Sequence, residues 1–326
     1  MGWFSTVGRP LLFAVEPESA HRMAIAMLGL PLPWERIGGA RDDPSLRTDL
    51  AGISLANPIG LAAGFDKGCE RLDALGRLGF GFVVGGTITM APREGNPRPR
   101  IARDRRSRAI VNAMGLPNPG ARAAAAALSR TPRTAPRLVS LADEAPDDVL
   151  AAAQLLAPHV DGFELNASSP NAGWAHRADH VGSLLDGLRH RVDVPVFVKL
   201  PPFGTDDGRK GVLVMAAVAE EHGAAGLTCS NTWAVTDARL STGRGGLSGG
   251  PLTSATPAIV AAVRETTELP IGACGGVFTA ADAAACLDAG ATTVQVYTGL
   301  IYRGPSIAGE LVRGLGHRVS DPSTAR

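Results

Sequence analysis

This chain holds only three lysines, Lys67, Lys199 and Lys210, against 29 arginines. Wherever a surface cation is enough, the composition uses arginine, so the lysines it keeps invite a chemical reading. Lys199 ends the β-branched run Pro195-Val-Phe-Val-Lys199, which would bury its stem and leave its ammonium at a strand end. Lys67 follows Asp66 in a loop and could bind a substrate carboxylate or the edge of a flavin. Asparagine is scarce too, at seven positions, and four of them, Asn112, Asn166, Asn171 and Asn231, lie at or just beyond apolar runs. An amide offers donors and an acceptor that do not change with pH, which suits reading the edge of a cyclic amide or imide. Between two of these amides stand Ser168 and Ser169. With no obvious histidine and acid partner, Ser169 fits a hydroxyl that takes a proton from carbon beside a carbonyl better than a hydrolase nucleophile. Plainer readings stand beside each: a structural ion pair for Lys199, a surface pair with Asp66 for Lys67, and turns or caps for the asparagines and serines.

The totals narrow the partners. Thirty-two basic against 31 acidic residues give a net charge of +1, no field to attract nucleic acid. A hydrophobic fraction of 45% with 19% charged residues is that of a globular chain with a substantial core. Cys69, Cys229, Cys274 and Cys286 are far apart, so neither a disulfide framework nor a metal site is predicted, and a reducing cytosol is the default. The apolar segment over residues 11–30 is broken by Glu16, Pro17, Glu18, His21 and Arg22. That excludes a membrane span or signal core but allows a helix lying on a membrane.

These residues need elements to hold them. From about residue 53, short apolar runs alternate with alanine-rich helical stretches, the pattern of a parallel sheet with crossover helices. Eight runs are predicted as strands, at residues 59–62, 82–85, 138–141, 162–166, 196–200, 226–229, 271–273 and 293–297. Eight such units close naturally into a (β/α)8 barrel of the TIM type, an α/β fold. No strand-GxGxxG-helix signature supports an open doubly wound sheet. The run Gly245-Gly-Leu-Ser-Gly-Gly250, before a proline, reads as a loop. Residues 1–45 are expected as an amphipathic helical extension and linker, 46–316 as the barrel and 317–326 as a polar tail. Catalytic groups of such barrels sit where strands end, and Lys67, Asn166, Lys199, Asn231, Gly276 and Thr298 all do. The glycine-bearing loops after the last two strands are where a phosphate-bearing cofactor is expected.

Taken in order, the motifs resemble the quinone-dependent, membrane-associated class of the dihydroorotate dehydrogenase family. They run from Glu16-Pro-Glu-Ser-Ala-His21 through Leu61-Ala-Ala-Gly-Phe-Asp-Lys67, Gly95-Asn-Pro-Arg-Pro-Arg100, Asn112-Ala-Met-Gly115 and Asn166-Ala-Ser-Ser-Pro-Asn171 to Ser230-Asn-Thr232 and Val296-Tyr-Thr-Gly299. The resemblance implies FMN bound over the barrel mouth, with Ala63, Gly64, Thr87, Ser140, Asn166, Lys199, Ser230, Gly249, Gly276, Tyr297 and Thr298 at flavin positions. It implies dihydroorotate or orotate held by Lys67, Asn112, Met114, Gly115, Asn166, Asn171, Asn231 and Thr232. Ser169 matches the family's base, taking the C5 proton while hydride leaves C6 for the flavin, and Lys199 offsets charge on the reduced ring. The N-terminal helices, with His21 and Arg103 at matching positions, would form the entrance for a membrane quinone and a peripheral attachment at the cytoplasmic face of a membrane.

Three departures accompany the likeness. Ser140-Leu-Ala-Asp143 replaces a usual Asn-Ile-Gly-Lys, Leu116 replaces a phenylalanine, and Ala172 follows Asn171 where the family continues with threonine. They keep a second expectation open, a related flavoenzyme acting on another cyclic amide or peptide-like substrate. A third is a barrel that binds FMN or a phosphate ligand without turnover.

Overall fold

The computed structural model describes residues 4–40, 42–168 and 177–320. The chain opens with a short π-helical turn (Phe4–Gly8), then α1 (Arg9–Ala14), α2 (Pro17–Leu28) and α3 (Trp34–Gly38). Glu16 starts α2 by accepting the Glu18 and Ser19 amides at 3.0 and 2.7 Å, which satisfies donors that a helix start leaves open. A two-stranded hairpin follows, β1 (Thr48–Leu50) and β2 (Ile53–Leu55).

The body alternates strand and helix: β3 (Ile59–Leu61), α4 (Leu72–Arg77), β4 (Phe82–Ile88), β5 (Ile101–Asp104), β6 (Ala109–Asn112), α5 (Ala121–Arg130), β7 (Arg137–Leu141) and α6 (Pro146–Leu156). It continues with β8 (Gly162–Leu165), α7 (Ala178–Arg189), β9 (Val196–Leu200), α8 (Asp206–Glu221), β10 (Gly226–Cys229), β11 (Trp233–Thr236), β12 (Arg244–Gly249) and α9 (Ala255–Arg264). It ends with β13 (Ile271–Cys274), α10 (Ala280–Asp288), β14 (Thr293–Val296), α11 (Thr298–Arg303) and α12 (Ile307–Ser320). Eight strands close a parallel barrel in the order β3-β4-β7-β8-β9-β10-β13-β14. The predicted barrel is therefore present, and each predicted strand coincides with one of its staves.

Apolar side chains explain the closure. The barrel strands read as nearly continuous buried runs because helices cover one face and the barrel interior covers the other. Phe82, Val84, Leu138 and Phe197 pack with Leu50 and Leu55 of the hairpin. The sequence also hides a second sheet, antiparallel in the order β11-β12-β6-β5, whose strands come from two insertions, β5 and β6 between β4 and α5 and β11 and β12 between β10 and α9. The glycine run expected as a loop is strand β12. Its lack of side chains is what lets strands approach: a Cβ on Gly246 would lie 2.0 Å from the Thr232 hydroxyl. Helix α12 also continues to Ser320, so part of the expected polar tail is helical. Arg318 there pairs with Asp288 at 2.7 Å.

The N-terminal helices are fastened to the barrel by charge. Glu18 on α2 and Arg100 beside β5 are 8% and 7% exposed, and the guanidinium reaches both carboxylate oxygens, at 2.6 and 3.2 Å. Arg100 also donates to the Glu94 and Asn96 carbonyls. Hydrogen bonding to Arg100 holds the Glu18 carboxyl below its ordinary range. Glu18→Gln should leave Arg100 buried without its counter-charge, a class of lesion that costs about 3–5 kcal/mol. Urea unfolding should show that loss, and limited proteolysis should cut within α1 and α2 first; unchanged stability and cleavage would show that the pair does not fasten the extension. The depressed Glu18 pKa makes this stabilisation present at neutral pH and lost on acidification.

Candidate active site

At the carboxyl ends of the barrel strands lies a cavity of about 1030 Å3, roofed by the antiparallel sheet. Its size is at the upper end for sites that enclose a small molecule, roughly 300–1,000 Å3. Ala63, Gly64 and Lys67 enter from the loop after β3, Thr87 from β4, and Asn112, Met114 and Gly115 from β6 and its following turn. Asn166 enters after β8, Lys199 from β9, Asn231 and Thr232 after β10, Gly249 from β12, Gly276 after β13, and Tyr297 and Thr298 after β14. Residues scattered over more than 230 positions thus meet at one mouth.

Two predicted cavity residues stand behind its wall. Ser140 and Ser230 are fully buried; the Ser140 hydroxyl lies 3.0 Å from that of Thr87, and the Ser230 hydroxyl donates to the Asn231 carbonyl at 3.4 Å. Ser169, Asn171 and Ala172 lie outside the described residues. His21 and Arg103 line a second cavity, of about 230 Å3, between α1, α2 and the barrel. Arg103 stacks on the Phe13 ring at 4.6 Å and donates to the Leu12 carbonyl at 3.1 Å and to the Val15 carbonyl. His21 packs edge-on to Phe65, with ring centroids 5.1 Å apart. The two cavities share Lys67, Asn112, Met114 and Tyr297 as lining.

The polar wall is one connected chain. Asn166 donates to Thr87 at 3.3 Å, Ser168 donates to the side-chain Oδ1 of Asn166 at 2.8 Å, and Asn231 donates to Ser168 at 2.7 Å. Asn231 in turn accepts the Thr232 amide at 2.8 Å. Ser168, read from sequence only as a turn former, is thus the hydroxyl joining two amides. Two further residues escaped the sequence reading. Glu164 is buried beside Lys199, with 3.4 Å between ammonium and carboxylate, and Gln295 lines the cavity with its Oε1 buried and unpartnered. The available signal was a polar residue inside an otherwise apolar parallel strand, in Phe-Glu-Leu and Val-Gln-Val.

Electrostatics divide the cations. Burial depresses Lys67 to about 8, and its ammonium donates to the Gly64 carbonyl at 2.8 Å. Asp66 does not serve as its surface partner; it accepts the Glu70 and Arg71 amides instead. Lys199 moves the other way: burial opposes its charge, but the Cys274 sulfur and the Glu164 carboxylate more than compensate, so its pKa rises. Burial, followed by the charge on Lys67, lowers His21 to about 3, which leaves it neutral near neutral pH. Among the described residues no group of three His, Cys, Asp or Glu side chains is placed to hold a metal ion. His176 and His180 do have a four-residue spacing, but His176 is outside the described residues.

The dihydroorotate dehydrogenase family model matches residues 45–319 of this chain. The chain belongs to the dihydroorotate dehydrogenase family. A relative named dihydroorotate dehydrogenase (quinone) from Verminephrobacter eiseniae is 36% identical, covering 94% of this chain and 93% of its own. One of the same name from Brucella anthropi is 37% identical over 98% of this chain and 92% of its own. Among solved structures, DHODH from Eimeria tenella in complex with ferulenol superposes with a TM-score of 0.82 at 31% identity, covering 94% of this chain and 93% of that one. Dihydroorotate dehydrogenases are flavin-dependent, and the cavity suits such a group. It offers one buried cation, a chain of amides and hydroxyls, and an unpaired Gln295 oxygen. It also has a glycine wall in which a Cβ on Gly276, at φ 70°, would strike the Thr253 amide at 2.3 Å.

Because Lys67 lies on the wall common to both cavities, its charge state should govern anionic ligands of this dihydroorotate dehydrogenase fold. If Lys67 holds the carboxylate, as the resemblance implies, affinity for orotate as the probe should be flat at lower pH and fall about tenfold per pH unit above about 8, where the ammonium is lost. Absorbance titrations across that range check this, with Lys67→Met expected to bind weakly and without the pH dependence. A flat wild-type profile would remove Lys67 from carboxylate binding.

Proposed function

We propose that the chain oxidises (S)-dihydroorotate to orotate in pyrimidine biosynthesis, with FMN as its flavin and a membrane quinone as the final acceptor. The carrying observation is the shared wall: a polar cavity at the barrel mouth and an apolar one beneath the N-terminal helices meet at Lys67, Asn112, Met114 and Tyr297. One polar and one lipid-soluble reactant can therefore be served from opposite sides.

In this reading Asn112, Asn166, Asn171 and Asn231 hold the ring amides, with Thr232 and the Met114-Gly115 turn beside them, and Lys67 holds the carboxylate. Ser169 takes the C5 proton. Ala63, Gly64, Thr87, Tyr297 and Lys199 surround the flavin ring, while Gly249, Gly276 and Thr298 form the phosphate end; Ser140 and Ser230 support this wall through Thr87 and Asn231. Bound FMN supplies the hydride acceptor and the electron path to the quinone. Burial raises Tyr297 to about 12, so its phenol stays protonated.

The quinone would enter past His21 and Arg103, between α1 and α2. Six of the seven exposed large apolar side chains among the described residues, Val7, Leu11, Met23, Met27, Leu30 and Leu32, belong to this extension. They support a peripheral contact with a membrane, which this reading puts at the cytoplasmic face. No helix among the described residues is long and apolar enough to cross one.

Anaerobic dihydroorotate should bleach the yellow protein, and a ubiquinone or menaquinone should restore the colour; a yellow protein that dihydroorotate leaves unchanged favours another cyclic amide as substrate. General-base assistance is typically worth roughly 10²- to 10⁴-fold, so Ser169→Ala should slow bleaching in stopped flow by about that factor and weaken dihydroorotate binding far less. An unaltered rate would remove Ser169 from the proton step.

A further inference from the structure

Beneath the cavity floor lies a charged group that the proposed reaction leaves unused. Glu164, on β8, is 1% exposed. One carboxylate oxygen is 3.4 Å from the Lys199 ammonium on β9. The other accepts the Thr228 hydroxyl of β10 and the Gln295 amide of β14, each at 3.0 Å. Three neighbouring side chains, from three different staves, thus aim donors at one carboxylate.

An ion taken wholly out of water persists only where its charge is matched and its hydrogen-bonding capacity filled. Glu164 meets both conditions. Near neutral pH Lys199 meets the first through Glu164: Cys274, the other titratable group that bears on it, is a thiol whose pKa burial raises, so its sulfur supports the ammonium by charge only at alkaline pH. A buried lysine without a counter-ion gives up its proton readily. Lys199 is also the member of the pair that lines the cavity, whereas Glu164 does not reach it.

We propose that Glu164 is the positioning residue for Lys199: its carboxylate keeps that ammonium charged and fixed at the cavity floor, and Thr228 and Gln295 hold the carboxylate in place. The consequence for flavin chemistry rests on the proposed function. The charge state of Lys199 does not, and it can be measured separately.

The scarcity of lysine makes the measurement tractable. Full-length protein carrying 13C- and 15N-labelled lysine gives side-chain signals from only Lys67, Lys199 and Lys210, assigned with single Lys→Arg variants. In the unmodified flavoprotein the Lys199 signal should stay in its charged position up to at least about pH 9, within the ordinary range of a lysine, while exposed Lys210 serves as internal reference. In Glu164→Gln it should turn neutral at lower pH than in the unmodified protein, and Glu164→Asp should restore much of the charge. Thr228→Val keeps the carboxylate and should leave Lys199 charged, which separates loss of charge from disturbed packing.

A neutral Lys199 at neutral pH in the unmodified protein overturns the proposal without any variant. So does an unchanged Lys199 titration in a folded Glu164→Gln protein. The midpoint potential of the bound flavin is the second readout. Where Glu164→Gln has cost Lys199 its charge, the nearer positive charge is gone and the potential should fall, returning in Glu164→Asp. A Lys199 signal that shifts as expected with no change in potential supports the pairing and counts against the flavin role assigned to Lys199.

Discussion

A parallel barrel forces the carboxyl ends of all its staves to one rim, and nearly everything else in this molecule follows from that constraint. Hydrogen bonding in register around eight strands fixes the ring, helices cover its outside, and the β1–β2 hairpin packs with an apolar cluster inside it. Only one end is left to carry polar groups. That is why Lys67 and Thr298, more than 200 residues apart, line one cavity, and why the loops there can differ without disturbing the staves.

The barrel was legible for a simple reason. Strands buried on both faces must be apolar along their length, and such runs stand out between alanine-rich helices. The antiparallel roof was not legible. Its strands carry Arg103, Asp104 and a run of glycines, and Trp233–Thr236 alternates between partly buried and exposed residues; only β6, with Ala109-Ile-Val111, has a fully buried apolar run, and it is short. The glycines of β12 signalled absence of side chains correctly, but they serve close strand approach rather than a loop.

Site residues divided along similar lines. Lys67, Lys199 and the asparagines stood out because the composition otherwise avoids those residue types. Ser168 did not, because a hydroxyl before Ser-Pro has an ordinary meaning in turns, and only the fold shows it bridging Asn166 and Asn231. Glu164 and Gln295 escaped the filter of strand ends because both act from within strands. Ser140 and Ser230 occupy matching positions, and both side chains stand one layer behind the cavity surface, where they reach it through Thr87 and Asn231. His21 and Arg103 carried no chemical signal of their own, and the resemblance alone marked them.

The four residues common to both cavities, Lys67, Asn112, Met114 and Tyr297, have an evolutionary consequence. The apolar chamber is otherwise walled by the N-terminal helices together with residues such as Phe65, Ile101, Ile110 and Leu300, and the polar one by loops of the barrel and its roof, so the part of the wall that the N-terminal helices supply can change without touching the polar chamber. With the quinone placed as proposed, a substitution at Ala24, Met27 or Leu32 would alter which greasy molecule is admitted and leave the lining of the polar chamber as it was. Adaptation to a different lipid-soluble partner is therefore open to this fold by drift in one short segment, whereas the party wall itself answers to both occupants and has little freedom to move.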